Sequence, residues 1–198
     1  MASPGRPRSF DKQKALDAAL QVFWRKGYEG ASLADLTSAM GIEKPSMYAA
    51  FGDKEQLFRQ VLDHYEKGPA KMMYAALQEP TARRLIERLL RESADAGSDP
   101  HHPRGCLFVQ GALACSGEAD CIRTELISRR AAGEAALRKR LQRAKREGDL
   151  PKKSDPAGLA RYIMAVLHGM SVRSSAGATR KELRGIAETA LRGLDAQL

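Results

Sequence analysis

The sequence is poor in the features that mark membrane, secreted and sheet-built proteins. Aromatic residues make up only 6% of the chain, with a single tryptophan. Sheets are enriched in aromatic and β-branched side chains, so a helical chain is favoured. No run of about 18 apolar residues occurs, the length a membrane-spanning helix needs. Residues Met1 to Arg8 are polar and basic with no apolar stretch behind them, so no signal peptide is expected. Three cysteines, Cys106, Cys115 and Cys121, form no C-x-x-C pair. An odd number without a secretion signal fits reduced thiols in a cytoplasm. Glycine-rich phosphate loops, H-E-x-x-H and G-x-S-x-G are all missing, so the main enzyme signatures are absent. Enzymatic activity, a cofactor and a metal are therefore not expected.

What is present is enough chain for a real core, and an excess of positive charge. The 198 residues are 43% apolar and 29% charged, with 33 Lys and Arg against 24 Asp and Glu, a net charge of +9. Such a balance favours polyanionic partners without proving one. The excess is unevenly placed. Residues 1–54 hold eight basic and six acidic residues, a net of +2, whereas residues 123–153 hold eleven and four, a net of +7. That second stretch includes Arg138, Lys139, Arg140, Arg143, Lys145 and Arg146. It reads as the solvated face of a helix, with a second polyanion site as the alternative.

Helical periodicity runs almost throughout and predicts an all-α fold. After a Pro/Gly/Arg-rich arm, Ala15, Leu16, Ala19, Leu20, Phe23 and Trp24 share one helical face, and Gly27 is a natural stop. Ser32 caps a short helix with Asp35 at the capping-box position, Gly41 ends it, and a second short helix runs from about Lys44 to Phe51 with Pro45 in its first turn. Asp53, with Gln56 three residues on, caps a longer helix that can continue past Gly68-Pro69 with a kink. Further helices are predicted over Thr81–Ala96, Ala119–Glu147, Pro156–Ser174 and Arg180–Ala196, with a short apolar segment from Cys106 to Cys115.

The stretch SLADLTSAMGIEKPSMYAAF, Ser32 to Phe51, carries the most information. Two short helices, a glycine turn and apolar residues at Leu36, Met40, Ile42 and Met47 make a helix-turn-helix pattern. The second helix then exposes Lys44, Ser46, Tyr48 and Ala49, small and polar enough to approach base edges in a major groove. From Gly27 through Leu57 the chain resembles the DNA-binding domain of TetR-family transcriptional regulators. Tyr48 and Phe51 match the family's Tyr-x-x-Phe pair, and Lys54-Glu55 its Lys-Glu pair. The resemblance implies a three-helix DNA-binding domain, here 1–53 with its basic arm, and a larger regulatory domain, 54–198, that binds an effector and dimerises.

Roles follow residue by residue. The resemblance favours a phosphate contact for the Tyr48 hydroxyl over simple packing of its ring. It does the same for Lys54, at a helix start where free N–H groups also attract phosphate. Ser32 can cap its helix and touch phosphate together. Lys44 and Ser46 are the best base or backbone readers, and Pro45 suits a thymine methyl. Arg6 and Arg8 can track phosphates or enter a minor groove. Phe23, Trp24 and Phe51 read as core.

The last two amphipathic helices can pair with their copies as a four-helix bundle. A two-fold homodimer on double-stranded DNA predicts a palindromic operator. For a small-molecule effector, the candidate lining residues are Tyr65, Met72, Met73, Leu89, Phe108, Met164 and His168. Arg104-Gly105-Cys106 is similar to a subgroup of the family with a glycine–cysteine pair at the start of the sixth helix, some of which sense oxidants or electrophiles. A thiol at a helix start beside Arg104 is expected to be reactive; a buried structural cysteine is the alternative. His101, His102 and Cys106 have metal-ligand types but irregular spacing. The rival to a regulator is a helical effector-binding protein or enzyme with a degenerate DNA-binding domain. Sequence does not separate repressor from activator.

Overall fold

The computed structural model describes residues 10–113 and 119–195, without the side chains of 112 and 113. Arg6, Arg8 and Cys115 lie outside the described residues. Within them the chain forms ten α-helices and no strand: α1 Lys12–Gly30, α2 Leu33–Met40, α3 Lys44–Phe51, α4 Lys54–Lys67, α5 Met72–Ala76, α6 Ala82–Ala96, α7 Leu107–Leu113, α8 Asp120–Arg146, α9 Pro156–Ser175 and α10 Arg180–Leu194. None of them is long and apolar enough to cross a membrane.

Local sequence accounts for most boundaries. Asp11, Ser32, Asp53, Thr81, Asp155 and Thr179 each accept a backbone N–H at the start of a helix, satisfying donors that the helix itself cannot. Two boundaries differ from the sequence expectation. Gly27, at φ +71°, kinks α1 rather than ending it, and one further turn carries the helix to Gly30. At Gly68-Pro69 the chain breaks rather than kinks. Pro69 has no N–H to continue the α4 ladder, so it opens a 3-10 turn, Pro69–Lys71, before α5.

The buried apolar residues form two clusters. The first joins Phe23, Leu36, Met47 and Phe51 to Leu57, Phe58, Val61, Leu62 and Tyr65 of α4. It also takes in Leu107 of α7 and Ile122 and Leu126 of α8, so this core crosses residue 53 and reaches far down the chain. The second packs α5, α6, α8, α9 and α10 around Leu85, Ile86, Leu89, Leu90, Leu137, Leu141, Ile163 and Leu183. Ion pairs stitch α6 to α10 along its rim. Arg91 reaches Glu188 at 2.8 Å, and Asp95 receives both Arg180 and Arg184, which hold its carboxyl far below the usual range.

Candidate nucleic-acid interface and adjoining cavity

The α2–turn–α3 unit is set by a short chain of hydrogen bonds. Ser32 Oγ accepts from Asp35 N and Asp35 Oδ2 accepts from Ser32 N, both at 3.0 Å, closing a full capping box. Lys26 of α1 reaches the same carboxylate at 2.7 Å and ties α2 to α1. Lys26, with the Ser32 hydroxyl and N–H, lowers the Asp35 pKa from 3.8 to about 2. At the other end Gly41 sits at φ +65°, ψ +30°. Gly41 N donates to Ser38 O and Ile42 N to Thr37 O, a Schellman closure that needs the left-handed conformation. Leu36, Met40 and Met47 are buried beneath the turn, with Ile42 packed beside them.

That burial fixes which side of α3 faces out. Met47 and Phe51 point into the core, 0% and 2% exposed, while Lys44, Pro45, Ser46, Tyr48 and Ala49 all face solvent. Tyr48 is 47% exposed, so its ring is not core packing. The five residues form one surface, and exposed Ser32 stands at the start of the preceding helix. Lys54 is placed differently. Its Nζ lies 4.6 Å from the centroid of the Tyr28 ring, and burial lowers its pKa while Glu29 acts the other way. Lys54 is thus packed on the end of α1 rather than extended into solvent. The basic stretch of α8 is largely a solvated face, with Arg138, Lys139, Arg143 and Arg146 exposed and Arg140 and Lys145 donating to backbone carbonyls.

A cavity of about 350 Å³ lies beside the first core, between α4, α5, α7, α8 and α9. Tyr65, Met72, Cys106, Phe108, Met164 and His168, widely separated in sequence, all line it. Trp24 lines it as well as belonging to the core, its ring edge-on to Tyr65 at 4.8 Å and its Nε1 donating to Gly105 O at 3.3 Å. The Tyr65 phenol is pushed well above its ordinary range by burial and then by the neighbouring Cys106 thiol.

The environment of Cys106 corrects one expectation. Arg104 does not serve the thiol. Its Nη1 donates to the Ala178 carbonyl at 2.9 Å, in the turn between α9 and α10. Gly105 N donates to Ser174 Oγ, so the whole segment before α7 is fastened to the end of α9. Cys121, by contrast, is exposed, and its thiol donates to Glu55, which raises its pKa. Among the described residues no three His, Cys, Asp or Glu side chains converge as a metal would require. His102 instead stacks on Trp24 with ring centroids 6.0 Å apart.

The charged lining of the cavity was not visible in the sequence. Arg129 of α8 is 18% exposed and bonds three carboxylates: Asp63 at 2.6 Å and Glu66 at 3.0 Å, both on α4, and Glu125 at 2.8 Å on its own helix. Arg59 of α4 answers with Glu125 at 3.1 Å and Glu55 at 3.0 Å. A polar clamp therefore joins the helix that follows the reading head to the wall of the cavity.

A left-handed glycine turn over buried Leu36, Met40 and Met47, with an outward-facing second helix behind it, defines a helix-turn-helix protein. Two family models match the chain: "Bacterial regulatory proteins, tetR family" over residues 15–61 and "Tetracyclin repressor-like, C-terminal domain" over residues 81–190. The chain belongs to the TetR family of transcriptional regulators. It is 35% identical to the HTH-type transcriptional repressor ComR of Escherichia coli, over 96% of this chain and 91% of that one. It is 42% identical to a solved cysteine-substituted form of the TetR family regulator CifR, with a TM-score of 0.91 over 94% of this chain and 98% of that one. CifR is complexed there with 26bp double-strand operator DNA. A regulator from Rhodococcus sp. RHA1 is 38% identical, with a TM-score of 0.61 over 92% of this chain and 98% of that one.

Proposed function

We propose that this protein is a cytoplasmic homodimeric repressor that holds a palindromic double-stranded DNA operator and is released by a small-molecule effector or by modification of Cys106. The observation that carries the reading is the outward face of α3, where Lys44, Pro45, Ser46, Tyr48 and Ala49 stand together behind the Gly41 turn. The 42% identical CifR is complexed with operator DNA, which supports operator binding by this chain. Repression rather than activation is favoured by the repressor names of relatives such as ComR. The head is the segment 1–53, with Arg6 and Arg8 on its arm, and 54–198 is the regulatory part; α4 is shared between them.

Dimerisation through α9 and α10 is supported by an outward face that mixes large apolar and small residues. Tyr162 and Val172 are each 45% exposed, and a Cβ at Gly169 or Gly185 would meet nothing within 4 Å. The cavity is the effector site in this reading, with Tyr65, Met72, Phe108, Met164 and His168 as its wall and Cys106 as the group open to modification. The effector must bind the released form of the dimer better than the DNA-bound form, or it shifts nothing.

Selection from fragmented genomic DNA at moderate salt tests the proposal. Enrichment of a palindrome beside a few promoters is expected. No enrichment by a folded dimer, with and without cell extract as a source of effector, overturns it in favour of a helical effector-binding protein.

A further inference from the structure

We propose that the cavity takes a monocarboxylate with an apolar body, its carboxylate set on Arg130 of α8 with the Ser171 hydroxyl of α9 as second donor. The inference rests on the reading of the cavity as the effector site and names the chemistry of what enters it.

The argument begins with the charges that line the cavity: Glu66, Asp99, Arg129 and Arg130, with His102 and His168. Three of the four permanent charges are already spent. Glu66 receives Arg129 and the Tyr74 hydroxyl, Arg129 is filled by Asp63, Glu66 and Glu125, and Asp99 accepts from His101 N and faces His102 at 3.9 Å. Arg130 alone has no hydrogen bond or ion pair among the described residues. Glu134, one turn on along α8, forms no ion pair with it. A guanidinium keeps its charge in a protein, so this one faces a largely apolar space uncompensated.

A second group points the same way. Ser171 Oγ is buried and has no hydrogen-bond partner, although it lines the same cavity. Buried hydroxyls are nearly always partnered, which makes this one a donor in want of an acceptor. His168 completes this end. Burial and the Arg130 charge hold its imidazole below its usual range, with Glu134 acting the other way, so at neutral pH it adds no second cation.

One unspent cation and one unspent hydroxyl match one carboxylate, which a guanidinium receives through two parallel bonds. A phosphate dianion would leave a charge unmatched. The rest of the ligand follows from the other lining residues. Trp24, Tyr65 and Phe108 come from α1, α4 and α7, whereas the cation and hydroxyl come from α8 and α9. A molecule spanning the cavity therefore sets an acidic head against α8 and α9 and an aliphatic or aromatic body against the rings. The volume of about 350 Å³ lies at the small end of ligand pockets.

Trp24 is the only tryptophan of the chain and lines the cavity, so its emission reports occupancy directly. The full chain is titrated with octanoate and 3-phenylpropanoate and with the matching alcohols, 1-octanol and 3-phenylpropan-1-ol. At least one acid is expected to bind about tenfold more tightly than its alcohol, the two acids telling an aliphatic from an aromatic body. In Arg130→Met that preference falls to about one while the alcohol still binds; in Ser171→Ala it shrinks by a smaller factor. Arg130 makes no hydrogen bond or ion pair among the described residues, and circular dichroism checks that the variant is intact. Alcohols binding as tightly as acids, or an acid preference that survives in Arg130→Met, overturns the carboxylate assignment and leaves the cavity reading standing. No response to any of the four overturns both.

Discussion

Arg129 on α8 holds Asp63 on α4 at 2.6 Å, although 66 residues separate them in sequence. The same guanidinium carries Glu66 and Glu125 and is largely shielded from solvent. Charge-assisted bonds of this kind contribute about 1.5–3 kcal/mol each at most; removing the shared cation costs Asp63 its ion pair, while Glu125 keeps Arg59 and Glu66 keeps the Tyr74 hydroxyl. Arg129→Met is expected to destabilise the protein by about 2–3 kcal/mol in chemical denaturation, and Asp63→Asn by less than half of that. Equal losses for the two would mean that Asp63, not the cluster, is the whole of the interaction.

Gly41 is the second point of leverage. Its φ of +65° is one that L side chains adopt at a cost, yet a Cβ there would meet nothing within 4 Å. Gly41→Ala should therefore cost about 1 kcal/mol through backbone conformation alone. An Asn at the same place should cost less, since Asn tolerates the left-handed region. If alanine and asparagine cost the same, the turn does not hold this conformation in solution.

The Asp35 cap gives a pH signature. Its folded value of about 2 lies below its ordinary 3.8. The cap's contribution is thus fully present above about pH 4 and is lost as pH falls toward 2. Titration of the Asp35 carboxyl by NMR should show a midpoint near 2, and Lys26→Met should move it up. A midpoint near 4 in the parent protein would show that neither Lys26 nor Ser32 engages the carboxylate.

On DNA, Lys44→Ala and Tyr48→Phe should each weaken binding across all operator sequences; if Lys44 touches a phosphate its loss lowers the salt slope by about 1, whereas loss of the uncharged Tyr48 hydroxyl leaves the slope unchanged. Replacing Lys44, Tyr48 and Lys54 together should abolish binding while circular dichroism stays unchanged. Lys54 is the informative member. Packed on Tyr28, it must leave that ring to reach a phosphate, so a Lys54→Ala effect smaller than the other two identifies it as structural.

In the proposed mechanism, Cys106 separates the two routes of release. Treatment with an electrophile at neutral pH should dissociate the parent protein from DNA and leave Cys106→Ser bound. Release of the serine variant by the same treatment would exclude Cys106 as the sensing group.

How much of this was legible depended on how local the signal was. The caps at Ser32 and Asp53, the turn at Gly41 and the outward face of α3 are written within four residues of themselves, and the structure places them as the sequence predicts. The cavity residues Tyr65, Met72, Phe108, Met164 and His168 were found by composition, as apolar or odd polar positions in the middle helices. Arg129 and Arg130 were not found. On a helix so rich in basic residues, a cation that faces inward carries no local mark. Arg104 misled for the related reason that adjacency in sequence is not adjacency in space. Its partner is the Ala178 carbonyl, 74 residues away.

Ile122 and Leu126 are completely buried among the side chains of α1 to α4. The reading head consequently borrows part of its interior from a helix more than fifty residues beyond it. A fragment ending at residue 67 would leave apolar side chains facing water, and grafting those residues onto a foreign regulatory half would demand a matching surface on the new host. In the proposed regulator, operator choice and ligand choice are therefore not interchangeable cassettes: substitutions along the inner face of α8 are expected to alter both at once.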